Sequence, residues 1–249
     1  MTSNQEHASY SPSLSLLEVF KSLSLMAVVP SDKVPSDIDI EIILAQKLTN
    51  PQIAMSLGAS DSTVDIVRAV ELTANILDSY SESGNVGYLH EADRIYTETL
   101  VKLPTNVRSE VILRSAAALT YFHHEAAVAL RIARGEHFLH EEIVEYLLRK
   151  GSDSLIYEAL LKQEGIWSPG LAAGFRVRQA LWDLEDDVRD LEEDKRTVGA
   201  NILLLSTTGV YEIRSLAYSL INQSRQLDIP GPLLGAIEEQ FELTMVALS

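Results

Sequence analysis

The sequence has no cysteine, and that absence removes disulfides, thiolate nucleophiles and cysteine-ligated zinc together. Nothing in it calls for an oxidising compartment, and a cytoplasmic chain is the expectation. Basic residues are also scarce: 20 Lys and Arg stand against 36 Asp and Glu, a formal net charge of −16. Such a surface repels nucleic acid and acidic lipid headgroups, so no nucleic-acid partner is expected, and an anionic ligand would need a metal ion to mediate. No uncharged stretch is long enough to cross a bilayer, and no basic segment followed by an apolar core opens the chain, so no membrane span is expected. Strict alternation over strand lengths is nearly missing. The G-x-S-x-G, P-loop and dinucleotide glycine patterns are missing too, which counts against hydrolase, nucleotide-phosphate and nicotinamide chemistry.

What is present is helical periodicity almost everywhere, in a chain of 249 residues that is 46% hydrophobic. The expected class is all-α, with a disordered N-terminus over 1–13 and a single helical domain over 14–249. Helices are expected over 14–29 and 38–57, with the loop PSDKVPSD between them, then over 65–83, 88–103, 106–134, 140–149, 152–163, 168–194, 208–226 and 231–247. The connections are short and polar, and no linker or repeat divides the chain.

Two stretches carry unusual charge. Residues 65–83, DIVRAVELTANILDSYSES, are apolar around most of the helix circumference, as in a helix surrounded by protein. Yet the stretch delivers Asp78 and Glu82, spaced i, i+4, at its C-terminal end, where acids oppose the helix dipole. The plainer alternative is that Ser79 to Asn85 already form a solvated loop. Residues 186–194, DDVRDLEED, place Asp186, Asp187 and Asp190 within one turn of each other. Projected on a helix, Leu181, Leu184, Val188 and Leu191 make one face, and Asp183, Asp186, Asp187, Asp190 and Asp194 fall opposite. Taken alone, that is an amphipathic helix with a wet acidic face, with Arg189, Lys195 and Arg196 as the nearby compensating charges. Each like-charge pair costs a few tenths of a kcal/mol, roughly, so the clustering wants a reason. Carboxylates on two helices facing each other across a cleft would hold Mg²⁺, which readily binds through one or two carboxylates plus a substrate phosphate.

The pair RAVELTANILDSYSES and GFRVRQALWDLEDDVRDLEEDKRTVGANI resembles the two aspartate-rich motifs of the class I terpene synthase and trans-isoprenyl diphosphate synthase superfamily. The resemblance covers roughly residues 62–205. It implies a helical bundle of the isoprenoid synthase type with a central apolar cavity, where Mg²⁺ ions held by the two motifs bind an allylic prenyl diphosphate. Carried over by residue, Asp78 and Glu82 match the first and last acids of the first motif, and Ser79 replaces its second. Asp186, Asp187 and Asp190 match the second motif. A register that begins it at FRVRQALWD would align Asp183 instead. These five acids are the implied catalytic and metal-binding residues.

Between the motifs, EYLLRKGSDSLIYEALL resembles the family segment whose lysine contacts diphosphate beside a helix break, which makes Lys150 that lysine and Gly151 and Ser152 the break. The plainer reading of RKG is an ordinary helix C-terminus. Arg196 is a second basic candidate for the diphosphate, and Tyr121, Phe122, Tyr157, Phe175 and Trp182 are candidates for the cavity wall, although aromatics at helical spacing are more often core. The basic segment and arginine pair by which chain-elongating members bind a second diphosphate are missing, with PSDKVPSDIDIEIILAQK and an isolated Arg94 in their place. The implied activity is therefore that of a terpene synthase, a carbon–oxygen lyase that ionises one allylic diphosphate. A chain-elongating synthase and a noncatalytic helical subunit that binds a protein partner are the alternatives. Adjacent His123 and His124 point about 100° apart and are poor joint ligands, and His137 and His140 lie near a helix start. The sequence leaves oligomeric state open, a homodimer included.

Overall fold

The computed structural model describes residues 48–83, 85–197, 201–205 and 209–249. The expectations for 1–13, for a helix over 14–29 and for the first part of 38–57 lie outside the described residues. Among those described there are ten α-helices and no strand: α1 (Asn50–Ser56), α2 (Asp61–Ser83), α3 (Val86–Lys102), α4 (Thr105–Ala133), α5 (His140–Lys150), α6 (Ser154–Gln163), α7 (Leu171–Thr197), α8 (Ile202–Leu205), α9 (Val210–Ser224) and α10 (Gly231–Ala247). A single 3₁₀ turn, Gly151–Asp153, joins α5 to α6.

The helix expected to run through to residue 57 does not begin at 38 in one piece, because Leu48 and Thr49 are non-helical and α1 starts at Asn50 with a proline in its first turn. Pro51 has no N–H to donate, so it opens a helix more readily than it continues one. Glu71 of α2 completes that start. Its carboxylate accepts the Thr49 and Asn50 N–H groups at 3.1–3.2 Å, tying α1 to α2. The loop alternative does not hold over 79–83, since α2 continues to Ser83 and Tyr80 is buried in it. Asn85 then starts α3 by accepting the Gly87 N–H at 3.0 Å.

The architecture is organised on α7, which packs against α5, α6, α8, α9, α10 and the 3₁₀ turn. Enclosure on that many sides explains why Leu171, Phe175, Leu181 and Leu184 are buried together with Arg178, Asp183, Glu185 and Asp187. The wet acidic face expected of this helix is thus not wet over 183–187; exposure begins at Arg189 and Asp190. Buried Glu185 is matched by Gln240 of α10, which donates at 2.6 Å, and by Arg189 one turn on. Helix α2 pairs with α3 and α1 and leans on α6 and the 3₁₀ turn, the elements that also support α7. This shared support brings the C-terminal end of α2 to the middle of α7. No described helix is long and apolar enough to cross a membrane.

Candidate functional site

Four helices converge on one buried, charged locus. Lys150, the last residue of α5, points its ammonium at Asp183 of α7, with Nζ 3.9 Å from Oδ1, and lies 5.8 Å from the centre of the Tyr146 ring one turn back. Burial opposes the charge on Lys150, but Asp183, Tyr146, Asp187 and Glu125 overcome that and hold its pKa well above the ordinary lysine value. Burial pushes the Asp183 carboxyl up to about 6, against the pull of Lys150 and the Gln179 hydrogen bond, and the negative charges of Asp78 and Asp186 push the same way. Asp78 therefore faces Asp183 from α2, at close enough range for its charge to bear on that carboxyl.

The fourth wall is α4. Its Glu125 accepts the Tyr121 hydroxyl at 2.6 Å, and that hydroxyl lies 3.5 Å from the hydroxyl of Tyr146. Burial raises Glu125 to about 7, Asp78 adds to the rise, and Lys150 opposes it. Nothing in the motif patterns singles Glu125 out. The available signal is that it is the sole acid between Glu110 and Glu136, along most of a long helix.

Among the other acids of α7, Asp187 is buried; its Oδ2 accepts the Ile202 N–H at 2.8 Å, its backbone carbonyl accepts from Asn201 at 2.6 Å, and its charge bears on Lys150. Asp186 is half-buried, and Asp190 is exposed. The side chains of Glu82, Phe122, Arg196 and Asp194 lie outside the described residues. Tyr157 and Phe175 pack on each other at 5.3 Å between ring centres with their planes tilted by 51°, and the Tyr157 hydroxyl donates to Asp153 at 2.7 Å, so these two buried rings form core between α6 and α7. Of the expected cavity aromatics whose side chains are described, Tyr121 is the one whose hydroxyl reaches the charged locus, and Trp182 is half-buried on α7. His140, at the opposite end of α5 from Lys150, lies 3.4 Å from Glu212 of α9.

One atom at this locus lacks a partner that its chemistry requires. Asp183 is 6% exposed, yet its Oδ2 is buried with no hydrogen-bond partner. On α2, one turn before Asp78, the Asn75 Nδ2 is buried and unmatched as well, as are side-chain atoms of Tyr96, Arg108, Ser115, Ser168 and Arg178. The orphaned carboxylate oxygen of Asp183, beside the Lys150 ammonium, fits a cation bound next to it, because most buried polar groups are paired. The donors are hard carboxylate oxygens, the ligands Mg²⁺ prefers. Among the described residues, no three acidic or imidazole side chains are gathered tightly enough to hold an ion by themselves. A phosphate-bridged Mg²⁺ does not require three, since one or two carboxylates with substrate oxygens and water complete its shell.

Compared with known proteins, the chain matches no family model, no curated protein and no solved structure.

Proposed function

We propose that this protein is a Mg²⁺-dependent enzyme of the class I terpene synthase kind, acting on a single allylic prenyl diphosphate by ionisation followed by cyclisation or elimination. The observation that carries the reading is the convergence of Asp78 on α2, Lys150 at the α5 break and Asp183 on α7, in the chain order that the resemblance implies. Bound Mg²⁺ would supply Lewis-acid stabilisation of the departing diphosphate. Lys150, held charged in a buried setting, donates to a phosphate oxygen and stabilises the charge that develops as the carbon–oxygen bond breaks. Tyr146 beside it is buried, as are Leu147 and Leu184, the sequence neighbours of Tyr146 and Asp183, which supports a site closed to water. In the motif on α7, the inner acids Asp183 and Asp187 serve as the site wall, with Asp186 beside them and Asp190 at the rim.

The test is product analysis after incubation with Mg²⁺ and the C10, C15 or C20 allylic diphosphate, with and without a homoallylic diphosphate. A cyclised or eliminated hydrocarbon from one allylic substrate supports the reading; a longer prenyl diphosphate in the two-substrate arm would point to chain elongation instead. A noncatalytic subunit of the same fold is the second reading. It draws on Ser79, whose hydroxyl donates to the Asn75 carbonyl at 3.2 Å where a second motif carboxylate would stand. That reading is supported if no substrate is turned over and neither Mg²⁺ nor diphosphate stabilises the fold.

A further inference from the structure

Glu125 lies outside both acidic motifs, on a helix that neither motif occupies, yet its partner Tyr121 brings it to the same locus: the Tyr121 hydroxyl lies 3.5 Å from that of Tyr146, whose ring centre lies 5.8 Å from the Lys150 ammonium. Its surroundings do not match those of a structural core acid. The Tyr121 hydroxyl covers one oxygen, Oε1, at 2.6 Å. The neighbouring ammonium is shared with Asp183, which it approaches to 3.9 Å. Asp183 in turn holds one oxygen buried and unpartnered. Glu125 is thus a carboxylate on which the negative charges of Asp78 and Asp183 and one shared cation bear. Such an arrangement is stable when a further positive charge enters it.

Resting on the function proposed above, we infer that Glu125 and the free oxygen of Asp183 together bind a divalent cation, making α4 a third acidic wall beside those of α2 and α7. The geometry assigns Tyr121 a positioning role: its hydroxyl fixes Oε1 of Glu125 and leaves Oε2 to turn toward the cation. A ligand on α4 also explains how a degenerate first motif, with a serine at its second position, retains enough oxygen donors for an ion bridged by phosphate.

The experiment measures Mn²⁺ uptake by electron paramagnetic resonance, using the full chain with and without inorganic diphosphate. The wild-type protein is expected to bind Mn²⁺ more tightly when diphosphate is present, and Mg²⁺ to displace it. Glu125→Gln, which keeps the shape and can still accept from Tyr121, is expected to weaken that uptake at least tenfold while far-ultraviolet dichroism and thermal midpoint hold. Glu98→Gln, which removes an exposed carboxylate paired with Arg94 on α3, is expected to leave uptake unchanged. Uptake by Glu125→Gln within twofold of wild type overturns the inference and leaves the proposed function standing. Absence of uptake by the wild type with diphosphate overturns both. If Glu125→Gln does not fold, Glu125→Asp decides, since withdrawing the carboxylate by one methylene weakens a ligand but not a distant charge; unchanged uptake there overturns the inference.

Discussion

At the scale of single residues, the groups most sensitive to conditions are buried acids. Glu71 is 6% exposed, and burial raises its pKa to about 7 despite the two backbone N–H groups it accepts. A carboxyl raised in the folded state binds its proton more tightly there than when unfolded, so its contribution to stability is fully present below about pH 4.5 and is lost as pH climbs through about 7. For a shift of this size the loss is up to about 3 kcal/mol. Glu125 and Asp183 act in the same direction. Denaturant unfolding should therefore show stability falling between about pH 5 and 7, and Glu71→Gln, which retains a carbonyl acceptor for Asn50, should reduce that slope. An unchanged slope in the variant would show that Glu71 is ionised throughout. On α7, Asp183→Asn is expected to lower turnover of an allylic diphosphate by about 100-fold or more. Asp190→Asn, at an exposed position, should shift stability by about 0.5 kcal/mol or less and leave most turnover intact. If Asp190→Asn were the inactive variant and Asp183→Asn the active one, the outer register DDVRD would be the metal-binding one. The sequence made both registers visible, because D-x-x-D spacing repeats along the helix. It could not choose between them, since which face of α7 is buried depends on the helices packed around it.

At the scale of elements, the break after Lys150 positions the site. Gly151 has an ordinary backbone φ of −79°, so conformational freedom is not why glycine stands here. Close approach is: a Cβ at 151 would lie 3.0 Å from the Arg176 Cα and 3.3 Å from the Gln179 Cβ, both on α7. Gly151→Ala would require the α5–α6 junction to shift from α7 by a few tenths of an ångström, at a cost of about 1–3 kcal/mol as in other overpacked contacts. It would also draw Lys150 away from Asp183. The expected result is a lower urea midpoint and weaker diphosphate binding, whereas Ser152→Ala, whose hydroxyl reaches only the Ala118 carbonyl at 3.3 Å, should alter neither by as much. Equal behaviour of the two variants would remove the close contact as the explanation. The break was legible from RKGSD as a position, but its reason was not, because the sequence does not show that α7 passes against it. Most long helices were legible within a few residues of their ends because their apolar positions recur at helical spacing. Helix α8 was not, since four residues of ILLL carry no periodicity. The burial of acids on α7 was hidden for a related reason: helical projection assigns charge to solvent unless the other helices are in place.

At the scale of the whole molecule, a formal net charge of −16 makes self-repulsion a general opponent of folding, so any salt should stabilise the chain somewhat by screening. A specific site must therefore be recognised above that background. Mg²⁺ with inorganic diphosphate, compared with NaCl at matched ionic strength, separates the two effects because screening depends on ionic strength and binding on identity. A ligand at 100 times its dissociation constant adds about 2.7 kcal/mol to the folded state, which for a chain of this size raises the thermal midpoint by roughly 5 to 10 °C. The increment should appear only when metal and diphosphate are both present, because the described carboxylates are too dispersed to hold an ion alone and one buried ammonium is too little to hold a diphosphate. It should shrink in Asp183→Asn and persist in Asp190→Asn. A midpoint that rises equally with NaCl and with Mg²⁺ plus diphosphate would leave the convergence of Asp78, Glu125, Lys150 and Asp183 as a feature of folding, with no diphosphate chemistry attached to it.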